Sequence, residues 1–310
     1  MQTVPGMIVF GLLARDCRDN LERNIVRVLE AGSFFSDYRV VVYENDSKDG
    51  TDDLIRKWAA ENDKVVGICE ITGERTIPDK SQKCPFPMKS VRRIERMCIF
   101  RNRVLDELGK RFSPDYFCFI DIDIYDFKPY SLAKAVLTAP SNWGGLFANG
   151  RVLIEDFYGH RTFSPFQYDS YAFMDERINY KDTGDWCIHR HFHAITSLIL
   201  NRNIMKNPFL PCSSAFNGIG IYRWSVIKNL RYRVEQTREL KAVNASFCEH
   251  VPFNADVRSL GFGLYVVRDM EVVCIKEKRK FRRFSLWKKQ IRTYLRFRFG
   301  GNFPISRIGW

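Results

Sequence analysis

Residues Asp115–Asp126 read DYFCFIDIDIYD and carry the strongest indication of the fold. Tyr116–Ile120 is an unbroken aromatic and apolar run, which predicts a strand buried on both faces of a central sheet. Asp121 and Asp123 follow two residues apart, so a continued strand would present both carboxylates on one face. Such a pair repels itself and loses hydration. It therefore predicts a divalent cation, Mn²⁺ or Mg²⁺, whose shell is completed by nucleotide phosphates. The simpler alternative is that the two acids only end the strand and cap a turn, because the motif is short and common.

Predicted strands and helices alternate in the first half of the chain. Strands are expected at 7–13, 38–43 and 64–69, and helices at 19–32, 51–61 and 89–112. Alternation of this kind predicts an α/β fold with a mixed, mostly parallel sheet flanked by helices. In the less regular second half, short strands are expected at 143–147, 152–154, 215–222, 264–267 and 272–275. Ligands of open α/β sheets bind at the carboxyl ends of the strands, where Asp121 is expected.

The charge of the chain is concentrated at its C-terminus. Of 49 Lys and Arg and 36 acids, twelve bases and one acid lie at 276–310, which gives this tail +11 and leaves +2 for the rest. A helix at 284–298 would carry a narrow apolar stripe flanked by cations, which favours contact with an anionic membrane surface. The alternatives are packing of the stripe on the body, and nucleic acid, for which no motif is present.

The cysteines and the apolar runs bear on the compartment. Nine scattered cysteines without Cys-x-x-Cys predict neither a zinc site nor a disulfide framework, and several, such as Cys98 and Cys118, are expected to be buried thiols. No secretory signal or spanning helix is predicted. We therefore expect a cytoplasmic protein that associates peripherally with a membrane.

Four motifs in order resemble those of GT-A-fold glycosyltransferases, especially the large family-2-like group. They are Ser47–Thr51 after the second strand, Phe100–Asn102 before the acidic strand, Ile120–Asp123, and Glu249–His250 with Gly261 twelve residues later. The series covers roughly residues 5 to 275.

Two further segments, Tyr168–Tyr171 and Phe216–Gly218, are similar to the fungal capsule-associated mannosyltransferase family. The sequence departs from the family-2-like pattern at two places. Glu44 or Asn45 stands where an aspartate usually faces the nucleotide base, and His250 stands where an aspartate usually acts as the base. The nucleotide and the stereochemical outcome therefore stay open.

The resemblance implies a GT-A (Rossmann-like) domain at 1–275, with a nucleotide-sugar-binding half at 1–126, an acceptor-side half at 127–275 and the basic tail beyond. It implies a hexosyltransferase, mannose being one candidate sugar. The donor would be a GDP- or UDP-linked sugar and the acceptor a hydroxyl of a glycan or lipid-linked molecule, in cell-surface polysaccharide or glycan synthesis.

On the donor side, the resemblance assigns the metal to Asp123 and the metal or the ribose to Asp121. Glu44, Asn45 and Asp46 are expected to line the nucleoside pocket, although the last two residue types also favour capping of the helix that begins at Thr51. Arg101 is expected at the nucleotide end of the donor, where it would hold the diphosphate.

On the acceptor side, Glu249 or His250 is expected to take the proton of the acceptor hydroxyl, since both residue types are competent bases. The alternatives are that His250 ligates the metal or that the pair caps the next helix. Asp169, Asp185 and Trp186 are expected to bind the acceptor.

Three alternating histidines, His189, His191 and His193, would share a face on a strand and could bind a metal there, but not on a helix. Acceptor binding and a plain surface cluster are the other interpretations. Two rival functions remain: a non-catalytic adaptor on the same fold, and a nucleotidyltransferase, which would normally need a Gly-rich loop that Gly11–Arg15 does not provide.

Overall fold

The computed structural model describes residues 2–74, 84–155, 161–189 and 191–276. The strands are β1 Val4–Ala14, β2 Phe35–Asn45, β3 Val65–Glu70, β4 Tyr116–Asp121, β5 Asp126–Phe127, β6 Trp143–Glu155, β7 Arg161–Gln167, β8 Met174–Asp175, β9 Phe209–Ser214, β10 Ile219–Arg223 and β11 Gly263–Lys276. The helices are α1 Arg18–Gly32, α2 Thr51–Glu61, α3 Val91–Arg111, α4 Pro129–Thr138, α5 Phe192–Ile204, α6 Trp224–Ile227, α7 Arg238–Ala242 and α8 His250–Ser259.

The sheet follows the order β3-β2-β1-β4-β10-β6-β11-β9-β8, with β5 and β7 attached at β11 and β6. Strands β3, β2, β1 and β4 are parallel, β10 is antiparallel to both of its neighbours, and β6 and β11 are parallel to each other. Of the seven strands from β3 to β11, β10 alone is therefore reversed. The predicted α/β class with a mixed, mostly parallel sheet is confirmed.

The acidic strand lies near the middle of the sheet, as its sequence predicts. Phe117 and Phe119 pack in the hydrophobic core on one face, and Cys118 and Ile120 pack in the core on the other. All four side chains are at most 2% exposed. An uninterrupted apolar run is stable here because helices cover both faces of the sheet.

The helices of the first half begin and end close to their predicted positions. The amphipathic stripe of α3 buries Ile94, Cys98, Val104, Leu105 and Leu108. Ser90 caps this helix, because its side chain accepts a hydrogen bond from the Arg93 backbone amide at 3.4 Å.

The second half differs from the prediction in how its strands are joined. The segments predicted at 143–147 and 152–154 form one strand, β6, and those at 264–267 and 272–275 form one strand, β11, whose register shifts between Val266 and Glu271. The strand predicted at 215–222 begins only at Ile219, because Asn217 and Gly218 adopt positive φ angles of 56° and 92°.

The cysteines expected to be buried thiols are buried, and eight of the nine cysteines lie in the interior. Within the described ranges, no helix combines the length and apolarity needed to cross a bilayer. The predicted tail helix at 284–298 lies outside the described residues.

Candidate active site

A cavity of about 430 Å³ opens at the carboxyl ends of β1 and β4. In the register of these parallel strands Leu13 lies opposite Asp121, so the end of β1 borders the acidic turn. Strand β4 ends at Asp121, and Asp123 lies in the turn that follows. Both aspartates nevertheless line the cavity, as the acidic motif predicts.

The surroundings of the two aspartates raise the pKa of both carboxyl groups. Burial raises the pKa of Asp121 to about 7; the nearby Arg101 opposes this shift and Asp123 adds to it. Asp123 is an exposed residue, yet the loss of water around its carboxyl inside the cleft also raises its pKa. Loss of water therefore disfavours the charged form of both carboxylates, a cost that a cation bound between them would offset.

Arg101 lies at the border of the cavity and brings a positive charge close to Asp121 and Glu249. It is 3% exposed, and its Nε–H donates to Glu249 Oε1 at 3.0 Å, while its Nη2 lies 3.8 Å from Asp121 Oδ1. Its guanidinium lies 4.9 Å from the ring centres of both Phe119 and Phe216. The role of Arg101 in holding the diphosphate stays a prediction: the guanidinium lines the cavity, where it bonds to Glu249 and lies close to Asp121.

Glu249 and His250 stand at the start of α8 and both line the cavity. Burial would raise the pKa of Glu249, but the Arg101 guanidinium outweighs it and lowers the pKa to about 2. Burial and Arg101 lower the pKa of His250, which stacks on Phe216 at 4.0 Å. At neutral pH the carboxylate is ionised and the imidazole neutral, so either can accept a proton, and the two predicted alternatives both remain.

The imidazole of His250 is held at one nitrogen. Its Nδ1 lies 3.4 Å from the Tyr232 hydroxyl, and its Nε2 lies 3.8 Å from Glu249 Oε1. Among the described residues, Nε2 has no hydrogen-bond partner although it is buried. This nitrogen is therefore the one that an incoming hydroxyl could meet.

The end of β2 and the turn that follows it bring only one of the three residues predicted there to the cavity. Asn45 lines it, whereas Glu44 is buried and accepts a hydrogen bond from the Ser47 amide at 2.7 Å. Asp46, at φ 55°, accepts hydrogen bonds from the amides of Thr72 and Gly73 and from the Thr72 hydroxyl. Burial would raise the pKa of Asp46, but these bonds outweigh it and lower the pKa.

The prediction that Glu44 and Asp46 line the nucleoside pocket is therefore not met by their positions. The Glu44 carboxylate accepts a hydrogen bond from a backbone amide of the turn after β2, and the Asp46 carboxylate accepts hydrogen bonds from backbone amides of the segment after β3. The sequence could not show this, because the amides that satisfy Asp46 lie 26 and 27 residues away along the chain.

Only one of the three residues predicted to bind the acceptor lies at the cavity. Asp169 lines the cavity, where burial together with Asp121 and Glu249 raises its pKa well above the usual value. Asp185 and Trp186 do not line it. Trp186 is 2% exposed and stacks on the His189 ring at 5.3 Å, and Asp185 is an exposed residue before a 3₁₀ turn.

The three histidines precede and open α5, so the strand on which they would share a face does not form. His191 lies at the N-cap of α5, and the His193 ring stacks on Phe166 at 5.3 Å. In the ranges covered by the structure, no group of three His, Cys, Asp or Glu side chains is arranged to hold a metal. The histidine metal site is therefore a wrong alternative.

The cavity residues that the sequence analysis did not predict include Arg15, Lys89, Arg93 and Met97. The last three and Arg101 recur every four residues, which places them on one stripe of α3 and of the 3₁₀ turn that precedes it. This spacing is visible in the sequence, but the other cations of the helix obscure it. Arg15 directly follows β1, whose carboxyl end borders the acidic strand.

The two carboxylates of Asp121 and Asp123 fit a divalent cation, although two protein ligands alone do not complete its shell. Mg²⁺ and similar ions in nucleotide sites take one or two carboxylates and complete their shell with phosphate oxygens and water. Asp121 and Asp123 offer such oxygens, and burial raises the pKa of both carboxyl groups, a cost that a bound cation would offset. Carboxylates of this kind suit Mn²⁺ or Mg²⁺ without a strong preference.

Replacing Tyr168 with phenylalanine should lower the rate of transfer about tenfold, the effect of losing one hydrogen bond to a charged group. The Tyr168 hydroxyl donates to Asp121 Oδ2 at 3.2 Å. The ring should stay in place, because it packs closely beside Gly218. Steady-state kinetics of Tyr168→Phe check this.

Tyr265→Phe, which loses a 3.0 Å hydrogen bond to Asn142 outside the cavity, is the matched control. Equal rates for both variants and the wild type would contradict it.

Comparison with known proteins gives one family and several distant structures. The family model described as cryptococcal mannosyltransferase 1 matches residues 7–256, more than half of the chain. No curated protein matches the sequence significantly.

Two solved structures illustrate the distant similarities. The mannosyltransferase PcManGT from Pyrobaculum calidifontis, in complex with GDP-Man and Mn²⁺, is 11% identical with a TM-score of 0.45, and the match covers 97% of this chain and 67% of that chain. S. aureus TarS 1-349 in complex with UDP-GlcNAc is 13% identical with a TM-score of 0.44, and the match covers 93% of this chain and 66% of that chain. This chain therefore spans about two thirds of either protein. At such identity, their ligands say nothing about the ligand of this chain.

Proposed function

The chain belongs to the family described as cryptococcal mannosyltransferase 1, and from that premise we propose that it transfers a mannosyl or other hexosyl group from a nucleoside-diphosphate sugar to a hydroxyl of a glycan or lipid-linked acceptor. Family membership makes it a glycosyltransferase, as its sequence predicted. The sugar, the nucleotide, the acceptor and the dependence on metal belong to the proposal.

One observation carries the proposal: the acid pair Asp121 and Asp123 lines a cavity whose opposite acid, Glu249, is held by a buried arginine. Two carboxylates that lose water in a cleft favour a bound cation and the phosphates that accompany it. We propose that Asp121 and Asp123 hold Mn²⁺ or Mg²⁺. When bound, such an ion offsets the charge that builds on the departing nucleoside diphosphate.

The residues of the chain itself would orient the acceptor and take its proton. Arg101 fixes the Glu249 carboxylate by its 3.0 Å hydrogen bond, so the place where an acceptor hydroxyl must lie is set before it binds. If the enzyme inverts, Glu249 or His250 accepts that proton. Burial raises the pKa of Asp169, which favours the protonated carboxyl, and that form can donate a hydrogen bond to an acceptor oxygen.

We extend the proposal to the membrane on the basis of the sequence. Residues 276–310 carry +11, and a cationic segment with an aromatic stripe suits an anionic lipid surface. Peripheral association on the cytoplasmic side would bring a lipid-linked acceptor to the cavity. Co-sedimentation with vesicles containing phosphatidylserine checks it: the full chain should bind them, and equal binding to neutral vesicles would contradict the proposal.

The direct test is turnover of a panel of GDP- and UDP-linked sugars by the purified full chain. Released nucleoside diphosphate is measured with Mn²⁺ and with EDTA. We expect turnover of at least one donor, with EDTA lowering the rate by about a hundredfold or more, since an active-site cation contributes several kcal/mol. Excess Mn²⁺ should restore the rate. Absence of turnover with every donor, or a rate that EDTA does not change, would contradict the proposed function.

A further inference from the structure

The cations of α3 and of the turn before it fall into two groups. Five arginines of α3 form ion pairs: Arg92 and Arg96 with Glu74, Arg101 with Glu249, Arg103 with Glu70, and Arg111 with Glu107. Lys89 and Arg93 form no ion pair with any residue in the described ranges, although both line the cavity. Among the cations of this segment that line the cavity, Lys89 and Arg93 are therefore the two without an ion pair to a described residue.

Lys89 is held in place by neutral groups. Its ammonium donates to the Cys187 carbonyl oxygen and lies 4.9 Å from the Tyr171 ring centre and 5.2 Å from that of Phe192. Burial lowers its pKa. Burial without a nearby anion destabilises the charged ammonium, and an anionic ligand would stabilise it.

Arg93 lies one helical turn further along and extends the same surface. Its guanidinium donates to the Met88 carbonyl oxygen at 3.2 Å, which leaves other N–H groups of the fork for a ligand. Its charge acts on Glu249 and on Asp169. Arg93 is thus within electrostatic reach of the acids beside which an acceptor hydroxyl would react.

The position of the pair favours the acceptor over the donor. All three contacts of the Lys89 ammonium come from residues 171–192, in the half of the chain expected to bind the acceptor. The cation beside the carboxyl end of β1 is instead Arg15, which borders the acidic turn. A donor diphosphate at Asp121 and Asp123 would therefore leave Lys89 and Arg93 to a second anion.

We propose that Lys89 and Arg93 bind an oxyanion of the acceptor, a phosphate or a carboxylate, next to Glu249. The inference rests on the proposed function and narrows its acceptor class to an anionic one. Two cations spaced four residues apart can share such an oxyanion, and a charge-assisted hydrogen bond from each would fix the acceptor relative to the base.

The test is calorimetry on the full chain saturated with Mn²⁺ and with GDP or UDP, whichever binds. Inorganic phosphate and glucuronate are titrated as the two oxyanion sources, with glucose as the neutral counterpart of glucuronate. We expect at least one oxyanion to bind. Lys89→Gln and Arg93→Gln should each weaken it about tenfold, the effect of one charge-assisted hydrogen bond, without changing nucleoside diphosphate affinity. Arg92→Gln, a neighbour whose ion partner Glu74 lies 3.9 Å away, is the matched control.

The outcomes distinguish failure of this inference from failure of the proposed function on which it rests. Tighter binding of phosphate would indicate a phosphorylated acceptor, and tighter binding of glucuronate an acidic sugar. Oxyanion binding that is absent, or that is unchanged in both variants, would overturn the inference and leave the proposed function intact. Weakened nucleoside diphosphate binding in the variants would assign the cations to the donor and would also overturn it. Failure of wild-type protein to bind any nucleoside diphosphate would remove the proposed function and this inference together.

Discussion

Asp121→Asn and Asp123→Asn should each lower kcat/KM by about a thousandfold or more while the protein stays folded. Each change removes a charged oxygen where the cation and the donor diphosphate would bind, and such an ion contributes several kcal/mol to the transition state. Stability should not fall, because asparagine preserves the shape and the substitution relieves repulsion between two carboxylates whose pKa values are raised. Initial rates at saturating Mn²⁺, together with thermal unfolding curves, check both parts.

Asp126→Asn is the matched control for this pair. Asp126 lies in β5, and its carboxylate pairs with Arg27 at 3.1 Å near the surface. The change should cost at most about 1 kcal/mol of stability and leave the rate within twofold of wild type. If either cavity variant kept a rate within tenfold of wild type, the metal role of that aspartate would be lost.

Arg101→Met should destabilise the protein by about 3–5 kcal/mol, because it leaves Glu249 buried without its cation. Adding Glu249→Gln should recover a large part of that loss, since the double variant no longer buries an unpaired charge. Activity should not recover, because the ordered acid beside the cavity is then absent. Urea unfolding at pH 7 of the wild type, both single variants and the double variant gives the coupling energy of Arg101 and Glu249.

Arg103→Met shows what an ordinary ion pair of the same helix contributes. Arg103 pairs with Glu70 at 2.7 Å but its side chain is 39% exposed, so its loss should cost less than about 1 kcal/mol. Additive effects of Arg101→Met and Glu249→Gln would show that the buried pair does not act as a unit, which would contradict the positioning role given to Arg101.

The sequence was sufficient where a local pattern determines the structure. The apolar run before Asp121 has only one stable environment, a sheet covered on both faces, and parallel strands bring their carboxyl ends to one edge. The looser of the two stated resemblances, to the fungal capsule-associated mannosyltransferases, is the one that family membership confirms. Its segments contribute Tyr168, Asp169 and Phe216 to the cavity.

The sequence was insufficient where distant residues meet. Glu249, which neutralises Arg101, lies 148 residues away, so sequence spacing could not separate this arginine from its solvated neighbours. Asp46 has a side chain that could bind a ligand, but its carboxylate already accepts hydrogen bonds from backbone amides of the segment after β3. Trp186 resembles an acceptor platform by its type but is buried in the core. In each case tertiary contacts decided which polar or aromatic group remained available.

The central claim is that Asp121 and Asp123 together hold a cation against the diphosphate of the donor. The most direct measurement is anomalous scattering at the manganese edge from crystals of the full chain grown with Mn²⁺ and a nucleoside diphosphate. We expect one strong peak between the two aspartates and the diphosphate, and no peak there in Asp123→Asn crystals. A nucleotide bound in the cavity without manganese beside these acids, or with manganese at other ligands, would contradict the account.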